Sequence, residues 1–198
     1  MGDLDETITS AVEQAADSRL HSVIALLVAL AATLMALDNI KDGNIAQAMS
    51  QAETHAVDAW SYYQAKSTKQ NLAEATIDQL QALRATTASG AVGLADLDKR
   101  IAAYRTQAVR YDKEKADIKA QAEGYQREYD RLNLHDDQFD LSDAGLSVAI
   151  ALLGVTALTR KRWLLGLAGV FLLVGVTFAL AGFLGWGLHP DALMTWLS

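Results

Sequence analysis

Three long runs of uncharged, mostly apolar residues divide the chain. They cover residues 22–37, 144–158 and 163–188, and most of the Lys, Arg, Asp and Glu lies between the first two. A bilayer core about 30 Å thick is crossed by about 20 helical residues. With their boundary residues included, the runs predict transmembrane helices over 20–37, 141–159 and 163–188.

The fold class expected from this layout is all-α, an integral membrane protein with a soluble helical hairpin at residues 38–140. An acidic amphipathic helix (1–19) precedes the first span, and an interfacial tail (189–198) follows the third. The acidic flank of the first span, and its continuation into a helical pattern, argue against a cleaved signal peptide.

The second hairpin arm, residues 94–134, repeats apolar or aromatic residues at alternating spacings of three and four. Such a repeat, sustained over several heptads, is typical of a coiled coil. The seam positions that carry the prediction are Leu97, Ile101, Tyr104, Tyr111, Ile118, Tyr125 and Tyr129.

The first arm, residues 38–84, has the same period with smaller side chains. Its seam includes Met49, Ala56 and Ile77. Between the arms lies the segment ATTASGAVG (85–93), whose glycines favour a helix stop and a turn. The pattern therefore predicts a long antiparallel coiled-coil hairpin.

Two registers of this hairpin, one heptad apart, fit the turn. One places Lys66 against Lys115, a like-charge contact. The other places Tyr111 by Tyr63, Tyr125 by Met49, Ile118 by Ala56 and Ile101 by Ala73. We prefer the second, because large side chains of one arm then meet small ones of the other.

A group of aromatic and polar residues on the first arm is a candidate interface with another subunit. Trp60 and Tyr62 lie outside the seam, either draped over the groove of the hairpin or packed on a partner. Polar residues interrupt the apolar seam beside them. The candidate interface is Trp60, Tyr62, Tyr63, Lys66 and Gln70.

The third span is rich in small residues, with Gly175 four residues before Ala179 and Ala181 four before Gly185. Small residues allow close helix approach, so we expect packing on the second span or on a neighbouring copy. The short link TRKR (159–162) favours a cytoplasmic position under the positive-inside rule. The amino terminus is then inside and the hairpin outside, in a multi-pass cell-membrane protein.

Candidate chemistry is sparse. No cysteine is present, the net charge of -7 argues against nucleic-acid binding, and hydrolase, phosphate-loop and dinucleotide signatures are absent. DNIKDGN (38–44) lacks two ligands of a calcium loop. HDDQFDLSD (135–143) could attract cations, although a solvated helix-to-membrane junction is the simpler interpretation. We expect no catalytic residue, cofactor or metal.

The segment DAWSYYQAKSTKQNLAE (58–74) resembles the bacterial membrane-protein family known as domain of unknown function 4337. The similarity extends to a span ending in a DN pair (Asp38 and Asn39), the core WSYYQAKS (60–67) and a TRKRW link (159–163). The resemblance implies the same membrane architecture and leaves the activity open.

The function expected from these patterns is that of a non-enzymatic, membrane-anchored coiled-coil scaffold. Its partners would be the lipid bilayer and further copies of itself, with other protein partners unknown. The alternative is a small oligomeric channel, suggested by Thr33, Thr156 and Thr177 within the spans. An enzyme is the third option.

Overall fold

The computed structural model describes residues 2–88 and 93–188, with side chains from Asp17 onward. It contains three α-helices: α1, Gly2–Thr86; α2, Leu94–Thr159; and α3, Arg162–Leu184. The described residues include no strand, so the all-helical prediction is confirmed. All three helices contain a segment long and apolar enough to cross a membrane.

Helix α1 combines three segments that the sequence divides by polarity. The amino-terminal acidic segment, the first apolar run and the first hairpin arm form one helix of 85 residues. Nothing in this stretch stops a helix, because the single proline of the chain is Pro190. Polarity changes along α1, but the helical backbone continues.

The structure divides into two compact units. Unit 1 comprises Met1–Ala48 and Arg131–Ser198, and unit 2 comprises Met49–Asp130. The three apolar runs all lie in unit 1, while most of the predicted hairpin, residues 49–130, forms unit 2.

In unit 1 the three helices pack around a small apolar core centred on Ile24, Leu153 and Ala168. Helices α2 and α3 approach closely at two glycines. A Cβ added to Gly145 would lie 2.9 Å from the backbone nitrogen of Gly175, so no larger residue fits without separating the helices. The small residues of α3 thus pack on the second apolar run of the same chain.

Further along this contact, α2 inserts the ring of Phe139 against Gly182 of α3. A Cβ at Gly182 would lie 2.7 Å from that ring. Phe139 also makes an edge-to-face contact with Phe183, with ring centroids 5.1 Å apart. The glycines of α3 therefore admit both a helix backbone and an aromatic side chain.

Two left-handed residues end α2 and α3. Arg160 has φ 55°, and its N–H donates to the carbonyl oxygen of Thr156 at 2.8 Å. Gly185 has φ 69° and follows the last residue of α3. This conformation is the usual helix stop, although it favours glycine over arginine. The predicted interfacial tail, 189–198, lies outside the described residues.

In unit 2, α1 and α2 run antiparallel. His55 stacks on Tyr125, Lys66 pairs with Glu114, and Arg84 pairs with Asp98. The sequence separation of these pairs decreases steadily toward the segment between the helices. The buried residues between the helices are mostly small or branched: Met49, Ala52, Ala56, Ala73, Ile77, Ile101, Ala108, Ile118 and Ala122.

These contacts show that the preferred register is wrong. The preferred register places Tyr125 beside Met49. In the structure Tyr125 stacks on His55 instead, which lies about one heptad further along α1. The structure has the register that places Lys66 near Lys115. The like charges are accommodated because each ammonium group has its own polar partner on the opposite helix.

Candidate functional sites

A layer of polar side chains crosses the apolar seam of unit 2. We call Lys66, Gln70, Glu114 and Lys115 the lysine layer. Lys66 Nζ donates to Glu114 Oε2 at 2.5 Å, and Lys115 Nζ donates to Gln70 Oε1 at 3.0 Å. Each lysine therefore has a polar acceptor from the opposite helix.

Tyrosine rings complete the surroundings of both ammonium groups. Lys66 Nζ lies 5.1 Å from the ring centroid of Tyr62 and 5.5 Å from that of Tyr111. Lys115 Nζ lies 5.4 Å from the centroid of Tyr63. A cation at this distance from an aromatic face is attracted by the ring quadrupole. The tyrosines thus replace part of the water that the lysines lose.

The ion pairs of unit 2 shift the pKa values of their carboxylates downward. The hydrogen bond from Lys66 lowers the pKa of Glu114, and the hydrogen bond from Arg84 lowers the pKa of Asp98. The same bond to Glu114 raises the pKa of Lys66. All three groups are therefore held in their charged forms at neutral pH.

The remaining aromatic residues of the candidate interface differ in exposure. Trp60 is half-buried and makes an edge-to-face contact with Tyr63, with centroids 5.6 Å apart. It also lines a groove between α1 and α2 with Glu53 and Tyr129. Tyr62 is 53% exposed. Trp60 is thus partly covered by its own hairpin, whereas Tyr62 is open to a partner.

The other predicted seam residues are mostly covered. Ile101 and Ile118 are buried, as are Met49, Ala56 and Ile77 on the first arm. Tyr125 is the most open, at 37% exposed. Half-buried positions are Leu97, Tyr104, Tyr111, Tyr129, Tyr63, Lys66 and Gln70.

A group of aspartates lies in unit 1, where α1 faces the start of the second apolar run. We call Asp38, Asp42, Asp136, Asp140 and Asp143 the aspartate cluster. The first two lie on α1, one turn apart, and the other three lie on α2. Asp38 is completely buried, and its Oδ2 accepts a hydrogen bond from Ser142 Oγ at 2.7 Å.

Several oxygens of the aspartate cluster have no partner. The Oδ1 atoms of Asp38, Asp42 and Asp143 are buried and accept no hydrogen bond within the described part of the chain. A buried carboxylate oxygen without a donor is costly, because it loses water and gains nothing in return. The cluster is thus electrostatically incomplete when all five groups are charged.

Two aspartates of the cluster on α2, outside the apolar runs, have raised pKa values. Burial, followed by the neighbouring charge of Asp42, raises the pKa of Asp136 from 3.8 to about 6. Burial, followed by the charges of Asp42 and Asp137, raises the pKa of Asp140. Desolvation and like charge act in the same direction here.

The aspartate cluster is not arranged as a metal centre. Among the described residues, no group of three or more His, Cys, Asp or Glu side chains is placed to hold one metal ion. Lys41, Arg131 and His135 of the same helices line a groove beside the end of α3.

The sequence suggested the two halves of the aspartate cluster without joining them. DNIKDGN was compared with a calcium loop, and HDDQFDLSD was considered as a segment that could attract cations, each alone. The antiparallel pairing of α1 and α2 brings the two motifs together. The sequence does indicate this pairing, because Asp38 and Asp140 are about equally far from the turn. An antiparallel hairpin places two such residues side by side.

The fold and these sites define a class: an all-helical protein with three segments suited to a membrane and an antiparallel helical pair between the first two. Residues 20–185 match the family described as Domain of unknown function (DUF4337), and the chain belongs to that family. The resemblance noted from the sequence is therefore confirmed. No match was found among curated proteins or among solved structures.

Proposed function

We propose that this protein is a non-enzymatic, membrane-anchored coiled-coil hairpin that serves as a homo-oligomeric scaffold. The observation that carries the proposal is the pairing in unit 2. Its two helices fill their seam from their own side chains and satisfy the polar groups within it, so the pair is suited to a rigid structural element. The heptad spacing of that seam supports the coiled-coil description.

Insertion in a lipid bilayer is supported by the exposed surface of the apolar segments. Only 11%, 33% and 28% of the most apolar windows of α1, α2 and α3 are buried within the chain. Large apolar side chains such as Leu26, Leu30 and Leu173 remain exposed. A surface of this kind requires lipid or further protein around it.

The charge distribution in unit 1 supports one orientation. Arg160, Lys161 and Arg162 lie in the link between α2 and α3, and Arg160 pairs with Asp17 at 2.6 Å. The aspartate cluster lies at the other ends of the same apolar runs. Under the positive-inside rule the link is cytoplasmic and the hairpin is outside, in a bacterial cell membrane.

Single-cysteine variants test this orientation, because the natural chain has no cysteine. We expect Ser61→Cys in unit 2 to react with a membrane-impermeant thiol reagent in intact cells. Lys161→Cys should react only after the cells are opened. The reverse pattern would invert the topology, and equal reaction of both in intact cells would contradict a membrane anchor between them.

Self-association is proposed to use the open aromatic surface around Tyr62. Aromatic residues are enriched at protein interfaces, and Tyr62 adjoins the lysine layer without being enclosed by it. Native mass spectrometry in mild detergent should show an oligomer that Tyr62→Ser weakens. Val109→Ser is the matched control, as Val109 is also exposed. A monomer at every concentration would refute the scaffold proposal.

The three threonines that suggested a channel do not support it strongly. Thr33, Thr156 and Thr177 each donate a hydrogen bond to the carbonyl oxygen four residues earlier. Thr156 is also buried. These hydroxyls satisfy their own helices, so they do not by themselves indicate a pore. Ion flux into proteoliposomes under voltage would favour the channel over the scaffold.

A further inference from the structure

The side chain of Gln138, on α2, is completely buried and binds the chain that follows α3. Its amide Nε2 donates one hydrogen bond to the carbonyl oxygen of Trp186 and another to that of Leu188, both at 2.7 Å. Both carbonyls lie beyond Leu184, the last residue of α3, so the helix itself supplies no donor for them. Gln138 therefore satisfies two carbonyl groups that the helix leaves open.

The neighbouring imidazole of His135 fixes the orientation of this amide. His135 Nδ1 lies 3.2 Å from Gln138 Oε1. An amide oxygen only accepts hydrogen bonds, so His135 donates from Nδ1, and the amide nitrogen of Gln138 faces the two carbonyls. Both polar atoms of the Gln138 side chain are thus paired, as is usual for a buried polar group.

A left-handed glycine turns the chain at the end of α3. Gly185 has φ 69°, and the backbone N–H of the next residue, Trp186, donates to the carbonyl oxygen of Ala181 at 2.9 Å. Such a closure is usual at a helix end. The turn at Gly185 and the two hydrogen bonds from Gln138 together hold residues 186–188 beside α2.

The side chains exposed around this contact are apolar. Trp186 is 49% exposed, and Leu184 and Leu188 are 61% and 44% exposed. An indole ring combines an apolar body with a polar N–H, which suits the boundary between lipid and water. Trp163, at the other end of α3, is also exposed. Helix α3 has 23 residues and is about 35 Å long, against roughly 30 Å for a bilayer core, so the two tryptophans are spaced to lie at opposite boundaries.

We propose that Gln138 is a positioning residue, which holds residues 186–188 against α2 and thereby places Trp186 at the boundary between lipid and water. The surface around Trp186 then faces the lipid headgroups, and α3 has a tryptophan at each boundary. The placement at the boundary rests on the proposed membrane insertion, whereas the hold of Gln138 on residues 186–188 does not. The first is therefore tested in vesicles and the second in detergent.

In detergent, the distance between two nitroxide spin labels measures how firmly the segment is held. The full chain has no natural cysteine, and a Cβ at Gly187 or at Gly154 of α2 meets nothing within 4 Å, so Gly187→Cys and Gly154→Cys provide the labels. We expect a narrow distance distribution. Gln138→Met should broaden it, because methionine fills a similar space without a donor.

Gln121→Met is the matched control, since Gln121 is an exposed glutamine of α2, and it should leave the distribution narrow. Equal broadening by Gln121→Met and Gln138→Met would overturn the role of Gln138. A broad distribution in the labelled chain with Gln138 unchanged would also overturn it, whether or not Gln138→Met folds.

In vesicles of phosphatidylethanolamine and phosphatidylglycerol, collisions of a single label with oxygen and with a water-soluble nickel chelate measure its depth. We expect a label at Gly187→Cys to lie at the boundary and to become more open to the chelate in Gln138→Met. A label at Leu173→Cys, in the middle of α3, should meet oxygen alone.

A label at 187 fully open to the chelate, with the label at 173 protected, would overturn the boundary placement while α3 remains inserted. Both labels open to the chelate would overturn the placement together with membrane insertion. Dipolar broadening between labels at 187 on neighbouring copies would put a second copy over Trp186, and would overturn the assignment of this surface to lipid.

Discussion

Helices α1 and α2 each contribute residues to both units, but the helix contacts within unit 1 differ in kind from those within unit 2. In unit 2 the helices pack through mostly small and branched side chains, and each lysine of the lysine layer has a partner from the opposite helix. In unit 1 the contact of α2 with α3 is made by glycines, and the contact with α1 includes carboxylates without partners. Among the described residues, the buried side-chain oxygens without a partner all lie in unit 1.

This difference between the units predicts which of them responds to pH. A fully satisfied polar layer fixes one arrangement, because every alternative leaves a donor or acceptor without a partner. A partly satisfied cluster changes its energy when a proton binds or leaves. We therefore assign a structural role to the lysine layer and a responsive one to the aspartate cluster.

The largest expected effect comes from closing the space between α2 and α3. In Gly145→Ala, the new Cβ would lie 2.9–3.2 Å from backbone atoms of Gly175 and Phe171, which cannot move independently of their helix. We expect a loss of about 3 kcal/mol in the free energy of unfolding. Thermal unfolding in detergent, followed by circular dichroism, measures it.

Gly169→Ala is the control for this substitution, because a Cβ at Gly169 meets nothing within 4 Å. It should be neutral or slightly stabilising, as alanine favours a helix over glycine. Equal unfolding temperatures for the two variants would mean that the close approach of α2 and α3 is not needed.

A smaller loss is expected when Asp38 loses its hydrogen-bond donor. Ser142→Ala would leave a buried carboxyl group with neither oxygen bonded by a side chain. We expect destabilisation of about 1–2 kcal/mol at pH 7.5. Ser147→Ala serves for comparison, since its exposed hydroxyl donates a long hydrogen bond to the sulfur of Met35, at 3.9 Å. An equal loss in both variants would argue against a specific role for Ser142.

Removing the lysine layer should affect register more than stability. Lys66→Met combined with Lys115→Met replaces partly buried charges with apolar groups, which proteins often tolerate well. The seam would then accept the alternative register, one heptad away. We expect thiol crosslinks between cysteines at 49 and 125 to appear in addition to those between 55 and 125.

The unsubstituted lysine layer is the reference for the crosslinking. With Lys66 and Lys115 present, only the pair at 55 and 125 should crosslink, as His55 and Tyr125 are stacked 5.1 Å apart. If both cysteine pairs crosslink equally before the lysines are replaced, the lysine layer does not select the register.

The smallest expected effect is the response of unit 2 to acid, opposite in sign to that of unit 1. Because the pKa values of Glu114 and Asp98 are lowered, their ion pairs stabilise the folded state at pH values above the ordinary pKa of each group. This stabilisation is lost as the pH falls through the pKa of each group in the folded protein. Hydrogen exchange should therefore show unit 2 loosening slightly at pH 4, whereas the raised pKa values of Asp136 and Asp140 favour the folded form of unit 1 there. Glu114→Gln should reduce that loosening. Changes of the same sign in both units would remove the contrast.

The periodicity of apolar residues predicted the helical elements, because burial of one face requires an apolar residue every three or four positions. Helix α1 ends at Thr86 and α2 begins at Leu94, against predicted arm boundaries at 84 and 94. The three segments of α1 that differ in polarity form one helix, because a change in polarity without proline or paired breakers does not stop a helix.

What the sequence by itself determined is which residues form helices, which runs are apolar enough for a membrane, and which faces carry the seam. Only the tertiary structure decided which residues of α1 and α2 are neighbours. Heptad spacing repeats every seven residues, so it is equally satisfied by registers one heptad apart. The choice depends on individual partners, such as Glu114 for Lys66 and Gln70 for Lys115, and the same pairing brings together the aspartates of two distant motifs.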